Sequence, residues 1–255
     1  MTFFAHYARY YDLLYRDKPY QEEADYTRTL ILSHVPKAKS IVELGCGTGA
    51  HAEHFARSGI KVHGIDLSEW MLERAAARCK TLPEEIAQRL HFSRGDARNI
   101  RVNERVDAVI SLFHVMSYQP DYSDLHAVFA TAREHLRSGG VFIFDVWYGP
   151  AVLTDRPKMR VKELEDDQIK ITRIAQPVLH PCRNLVDVHY RISAHDKESG
   201  KDSEVMETHR MRYLFSPEIE LLAMQSGFTV IDAHEWMTGR PPGFDTWSVC
   251  FICRA

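Results

Sequence analysis

Three carboxylates and a run of glycines carry the most chemical information in this chain. Val42-Glu43-Leu44 runs into Gly45-Cys46-Gly47-Thr48-Gly49, and Gly64-Ile65-Asp66-Leu67-Ser68 follows. Glycines after a buried strand let the backbone approach a ligand and turn helix N–H groups toward it. An acid at the end of the next strand, here Asp66, can bind both hydroxyls of an adenosine ribose. Asp96, followed by Ala97, ends a third apolar stretch and could accept the adenine amino group. The turn also reads G-x-G-x-x-A through Gly45, Gly47 and Ala50, so a dinucleotide and an NAD(P)-dependent oxidoreductase are formally open. Glu43 weighs against that reading. Its carboxylate would repel a pyrophosphate and would suit a ligand that brings an ammonium and a sulfonium. No G-x-x-x-x-G-K-[ST] occurs.

Positioning these groups takes strands that alternate with helices. Short apolar strands are expected at 40–44, 61–65, 90–93, 106–112 and 141–146. Helical spacing marks 50–58, closed by Gly59, then 69–80, capped by Ser68, and 124–136. Arg137-Ser138-Gly139-Gly140 reads as a turn. Near-continuous apolar strands between helices indicate an α/β fold, a doubly wound and mostly parallel sheet. Residues 1–36 read as helical, with Tyr7, Tyr10, Tyr11, Leu14 and Tyr15 on one stripe and Pro36 as the stop. From Ala151 the texture changes to polar–apolar alternation at 158–165, 168–178, 184–196 and 203–214, a small antiparallel β insertion after the fifth strand. A helix from Ser216 to Ser226 and strands at 228–236 and 247–253 complete the chain. The expected division is 1–150 with 211–255, and 151–210 as the insertion.

Composition limits the function classes. The 255 residues carry a net charge of -3, with 45% hydrophobic and 26% charged residues, an ordinary globular balance. No global basic field draws the chain to nucleic acid, and no apolar run is long enough to span a bilayer. Met1 to Tyr11 lacks an apolar signal core, so a cytoplasmic protein is expected. The five cysteines are odd in number and scattered, and Cys250-x-x-Cys253 lies in an apolar run, so it reads as a packed strand. None of the 14 histidines stands in H-E-x-x-H, and no metal is expected.

Glu-Leu-Gly-Cys-Gly-Thr-Gly, Gly-Ile-Asp-Leu-Ser and Gly-Asp-Ala resemble the motifs of class I S-adenosylmethionine-dependent methyltransferases. The resemblance covers about 1–150 and 211–255. It implies a seven-stranded Rossmann-like sheet with a reversed last hairpin, and S-adenosyl-L-methionine as cofactor. Tyr11-Asp12-Leu13-Leu14-Tyr15 with Lys18-Pro19-Tyr20 is similar to the bacterial subgroup that N-methylates amino groups of nucleotide-linked sugars. It implies cofactor contacts at Tyr11, Tyr20, Glu43, Gly45, Cys46, Gly47, Asp66, Leu67, Met71, Asp96, Ala97 and Phe113. In the family the loop after the fourth strand, 111–119 here, lines the methyl-transfer pocket, which would set His114 and Tyr118 against the acceptor as catalytic residues. A histidine there can take a proton near neutral pH, or only shape the pocket. Trp147 and Tyr148 would offer flat walls to a ring-shaped acceptor. Arg173, Arg191, Arg210 and Arg212 could clamp a phosphate or form a solvated strand face.

The reading is therefore a methyltransferase for a small-molecule acceptor, by preference an amino sugar. The alternatives are O-methylation of a hydroxyl, the oxidoreductase, or a nucleotide-binding scaffold without turnover. No nucleic-acid or membrane partner is expected, and edges of the inserted sheet are compatible with a homodimer.

Overall fold

The computed structural model describes residues 11 and 13–255. Tyr7, Tyr10 and Asp12 lie outside the described residues. Tyr11, Leu13 and Leu14 are helical, and the first full helix, α1, is Tyr20–His34. Then come β1 (Ser40–Leu44), α2 (Ala50–Arg57), β2 (Lys61–Asp66), α3 (Glu69–Lys80), α4 (Glu84–Ala87), β3 (Leu90–Arg94) and β4 (Val106–Ser111). A 3-10 turn, Val115–Tyr118, leads to α5 (Tyr122–His135), β5 (Leu136–Tyr148) and α6 (Gly149–Thr154). The antiparallel strands follow: β6 (Arg160–Glu165), β7 (Ile169–His180), β8 (Leu185–Asp196) and β9 (Asp202–Leu214). The chain ends with α7 (Ser216–Gln225), β10 (Thr229–Glu235) and β11 (Ser248–Arg254).

Strands β3-β2-β1-β4-β5 are parallel, and β11 then β10 add antiparallel beyond β5. The sheet is doubly wound because β5 and β11 alternate. Phe142, Phe144, Val146, Val249 and Phe251 meet α5 and α7 on one face; Val141, Ile143, Cys250 and Ile252 meet α1 and α2 on the other. Cys250 and Cys253 thus face opposite sides of a buried strand and are free.

Two expectations are corrected. Among the described residues the sheet has eleven strands, not seven. Trp147 pairs with Tyr213 and Tyr148 with Leu214, in parallel, which joins β9-β8-β7-β6 to the end of β5. And 137–140 is no free turn. Val106 faces Leu136 while Ala108 faces Val141, so the four residues bulge within β5 opposite Asp107. Gly139 N donates to Ala255 O and Ala255 N to Gly140 O, which holds the bulge in the sheet.

Candidate active site

The first glycine loop is tied down by β2. The N–H groups of Gly45 and Cys46 both donate to Ile65 O, at 2.7 and 3.0 Å. Gly45 and Gly47 sit at φ +79° and +55°, in the left-handed region. A Cβ on Gly45 would meet Val115 Cγ2 at 2.6 Å, so that glycine makes room for the turn after β4. A Cβ on Gly47 would meet nothing within 4 Å: it would project into open space. Asp66 stands beside that space. Its Oδ2 accepts from Gly47 N at 2.9 Å and its Oδ1 from Ser68 N at 2.8 Å. Burial raises its pKa, and these N–H groups oppose the rise. An ionised carboxylate can accept about four hydrogen bonds, so capacity for a ligand's hydroxyls remains.

One cavity of about 1270 Å³ runs from this loop to the antiparallel strands. Tyr11, Tyr20, Gly45, Cys46, Gly47, Asp66, Leu67, Met71, Asp96, Ala97 and Phe113 line it at one end, and His114, Tyr118 and Trp147 farther along. The structure thus brings together all the proposed site residues except two. Glu43 lies below the lining, 1% exposed, with no hydrogen bond to Oε2. Burial and the charge of Asp66 push its pKa up to about 8. Tyr148 follows Trp147 on a strand, so its side chain faces the other way. It packs on the α5–α7 core with its hydroxyl 3.2 Å from Ser216 Oγ. Tyr148 is therefore no acceptor wall in this structure.

Asp96 lines the cavity but is already engaged. It takes the backbone N–H and the guanidinium of Arg98, which also reaches Asp124 at 3.1 Å. Arg98 was missed, although it stands two residues after Asp96 in the sequence. His51 was missed too. It lines the cavity, with Nε2 2.7 Å from Glu23 Oε2 and Nδ1 3.8 Å from Glu43 Oε1, and Lys18 pairs with Glu23 behind it. Burial lowers the His51 pKa, against the pull of Glu23.

The turn after β4 is held from β5. Phe113 and His114 have φ of 65° and 63°, and Asp145 accepts the His114 N–H. Tyr15 meets the Phe113 ring edge-on at 5.0 Å, with the Lys18 ammonium 4.3 Å from its centroid. Toward the antiparallel strands the lining carries Lys158, Arg160, Arg173 and Arg210, with Arg173 donating to Tyr15 Oη at 3.2 Å. Arg210 is paired with Asp187. Arg212 instead pairs with Glu218, and Arg191 is exposed on β8. His209, which lines the same end, was not anticipated, since nothing distinguishes it within an alternating strand.

A family profile described as a methyltransferase domain matches residues 41–140. The chain is 30% identical over 239 residues to the Streptomyces venezuelae dTDP-3-amino-3,4,6-trideoxy-alpha-D-glucopyranose N,N-dimethyltransferase, covering 93% of this chain and 94% of the relative. It is 28% identical to the Streptomyces fradiae dTDP-3-amino-3,6-dideoxy-alpha-D-glucopyranose N,N-dimethyltransferase, covering 92% and 87%. Among solved structures, Streptomyces venezuelae DesVI superposes with a TM-score of 0.80 at 26% identity, covering 97% of each chain. The chain belongs to the S-adenosylmethionine-dependent methyltransferases. Within that family it is similar to the sugar N,N-dimethyltransferases.

The residues present fit that cofactor. Glu43 Oε2 is a buried acceptor with no protein donor, as a site for an ammonium requires. The open space over Gly47, beside Asp66, leaves room for a ligand where any side chain would fill it. Among the described residues no helix is long and apolar enough to cross a membrane.

Proposed function

We propose that this chain transfers a methyl group from S-adenosylmethionine to the amino nitrogen of a nucleotide-linked amino sugar. One observation carries the reading: a single cavity joins acids and a glycine loop to cationic side chains from residues 158–210, with His114 and Tyr118 in its lining. The cofactor, when bound, supplies an electrophilic methyl on a good leaving group. Gly45, Gly47 and Asp66 would hold its adenosine end. Asp96 would act on the adenine jointly with Arg98, and Met71, Leu67 and Ala97 would border the base. His51 and Glu43 would meet the amino-acid end, and Tyr11, Tyr20 and Phe113 would exclude water above it.

The protein's own work is alignment and exclusion of water, because attack by a neutral amine needs little else. Trp147 walls the acceptor, and Lys158 and Arg160 face its phosphates. The relatives' printed substrates, dTDP-linked amino sugars, have that charge pattern. His114, fixed by Asp145, shapes the pocket around the nucleophile. The strands 151–210 form the acceptor half and the remainder the cofactor half. Strand β6, at the end of the sheet path, is the edge along which two copies would pair. A cytoplasmic setting suits a nucleotide-linked acceptor.

The test is transfer of labelled methyl to dTDP-3-amino-3,4,6-trideoxyglucose, alongside the corresponding 3-hydroxy sugar. Label on nitrogen supports the reading, and label on oxygen alone overturns it. Asp66→Ala should weaken S-adenosylmethionine binding by about 1.5–3 kcal/mol in calorimetry; unchanged affinity in a folded variant would remove Asp66 from the site.

A further inference from the structure

We propose that Tyr118, His209 and Glu207 form a proton relay that takes the ammonium proton from the acceptor before methyl transfer. The inference rests on the amine reading of the site. Tyr118 Oη lies 2.8 Å from His209 Nδ1, and His209 Nε2 lies 3.1 Å from Glu207 Oε2. Tyr118 comes from the turn after β4, and the other two from one face of β9, so the chain of bonds spans the sheet junction. The His209 and Glu207 side chains are 4% and 10% exposed, while Tyr118 and His209 both line the cavity. A buried, fully bonded line of polar groups that opens at one end onto a ligand cavity has a direction along which a proton can move.

The bonds fix the starting state. Glu207 accepts only, so His209 Nε2 carries the hydrogen and Nδ1 is the acceptor. Tyr118 then donates to Nδ1, and its hydroxyl oxygen, in the cavity lining, is the atom that meets a hydrogen of the acceptor nitrogen. Burial holds the Tyr118 pKa well above its ordinary value, so the hydroxyl enters protonated. Among the described residues, its other charged or titratable neighbours include Tyr190 of β8, Arg173 of β7 and Tyr15. Tyr190 meets His209 edge-on at 4.8 Å, and the Arg173 guanidinium lies 5.4 Å from the Tyr190 ring.

An aliphatic amine arrives near neutral pH largely as ammonium, which has no lone pair to attack with. In the relay one N–H bond of the ammonium breaks and its electron pair stays on nitrogen. The proton passes to Tyr118 Oη as the original Tyr118 proton passes to His209 Nδ1. The imidazolium formed stands against the Glu207 carboxylate, and its extra proton leaves to water with the product. Tyr118 touches the acceptor; His209 and Glu207 act through it as positioning residues.

The first test needs no acceptor. Nitrogen NMR of the ligand-free protein should show the His209 ring hydrogen on Nε2, and a hydrogen on Nδ1 would overturn the relay. The second compares turnover of dTDP-3-amino-3,4,6-trideoxyglucose across pH. Tyr118→Phe should lower kcat about 10- to 100-fold near pH 7, with little change in KM. The loss should shrink to under about threefold near pH 9.5, where the amine arrives neutral. Glu207→Gln, which keeps the hydrogen bond, should move the acid limb in the same direction by less. An unchanged pH profile in Tyr118→Phe, or an equal loss at every pH, overturns the relay. Failure of the amine reading looks different: the unmodified protein would then methylate the hydroxy sugar and leave the amine untouched.

Discussion

Asp145 holds His114 by its backbone: each carboxylate oxygen accepts the His114 N–H, at 3.1 and 3.2 Å, and Oδ2 also lies 2.7 Å from the ring Nδ1. Two consecutive non-glycine residues at positive φ cost on the order of 1–3 kcal/mol each. A carboxylate buried at the end of β5 offsets part of that cost and fixes a turn whose residues line the cavity. Burial raises the Asp145 pKa, but the charge and hydrogen bonds of His114, with Lys18, bring it below the ordinary value.

Asp145→Asn should therefore cost about 1–3 kcal/mol of stability and raise acceptor KM more than it weakens cofactor binding. The folded pKa lies below the unfolded one, so the contribution is full above the ordinary carboxylate range, near 3.9. It is lost as pH falls through the lower folded value. Denaturant melts from neutral to acid pH should show a steady gap between parent and variant that closes only below about pH 4. A gap that has already closed at about pH 6 would mean that the carboxylate charge does not hold this turn.

The glycine loop separates two kinds of damage. Gly47→Val puts its side chain into the space above the loop and should abolish cofactor binding, while the fold loses only the strain of a positive φ, about 1 kcal/mol. Gly45→Ala drives a methyl against Val115 and should lower stability further, by about 1–3 kcal/mol. Melting and calorimetry on the pair should rank them in opposite orders. Normal binding by Gly47→Val would move the ligand away from this loop.

Glu43 makes the ligand-free protein sensitive to base. Its folded pKa, about 8, lies above its unfolded one. The protonated acid thus contributes stability that is fully present below the unfolded pKa and lost as pH rises through the folded value. Glu43→Gln should be more stable than the parent near pH 7.5, by on the order of 1–3 kcal/mol, and should bind S-adenosylmethionine more weakly. Equal melting curves at about pH 5 and pH 8 in the ligand-free parent would remove Glu43 as the source of a pH slope.

Trp147 and Tyr148 are neighbours with different duties. Trp147→Ala should raise acceptor KM several-fold and leave cofactor affinity alone. Tyr148→Phe should cost about 1 kcal/mol of stability, for its bond to Ser216, and leave KM unchanged. Matching KM effects in the two variants would contradict the opposite facing of the two rings.

The sequence made the secondary structure plain where one local force dominates. Runs such as Val42-Glu43-Leu44 and Phe142-Ile143-Phe144 have one stable setting, a strand covered on both faces, and Ser68 caps α3 as expected, accepting from Met71 N. Glycine spacing and Asp66 marked residues that meet in the cavity, because backbone geometry there permits few residue types. What escaped depends on distant pairing. Tyr118 and His209 are 91 positions apart, and no periodicity relates them. The β5–β9 pairing involves two residues from each strand, too few to leave a pattern. Arg173, Arg191, Arg210 and Arg212 look alike in an alternating strand, and only the twist and register decide which of them meet the cavity. Glu43 reads as an acid at a strand end, and nothing local shows that His51 comes to stand 3.8 Å from its carboxylate; that contact belongs to the fold.

The pairing of Trp147 with Tyr213 and Tyr148 with Leu214 has an evolutionary corollary. The side of the cavity proposed to take the acceptor is carried by chain that leaves the main sheet just after β5 and rejoins it alongside the same strand end. Loops and charges on β6–β9 can drift, lengthen or be exchanged without altering the frame that holds the glycine loop and Asp66. A chain built this way can keep one methyl donor while what it methylates changes, with the Tyr118–His209 contact as the seam where the two parts meet.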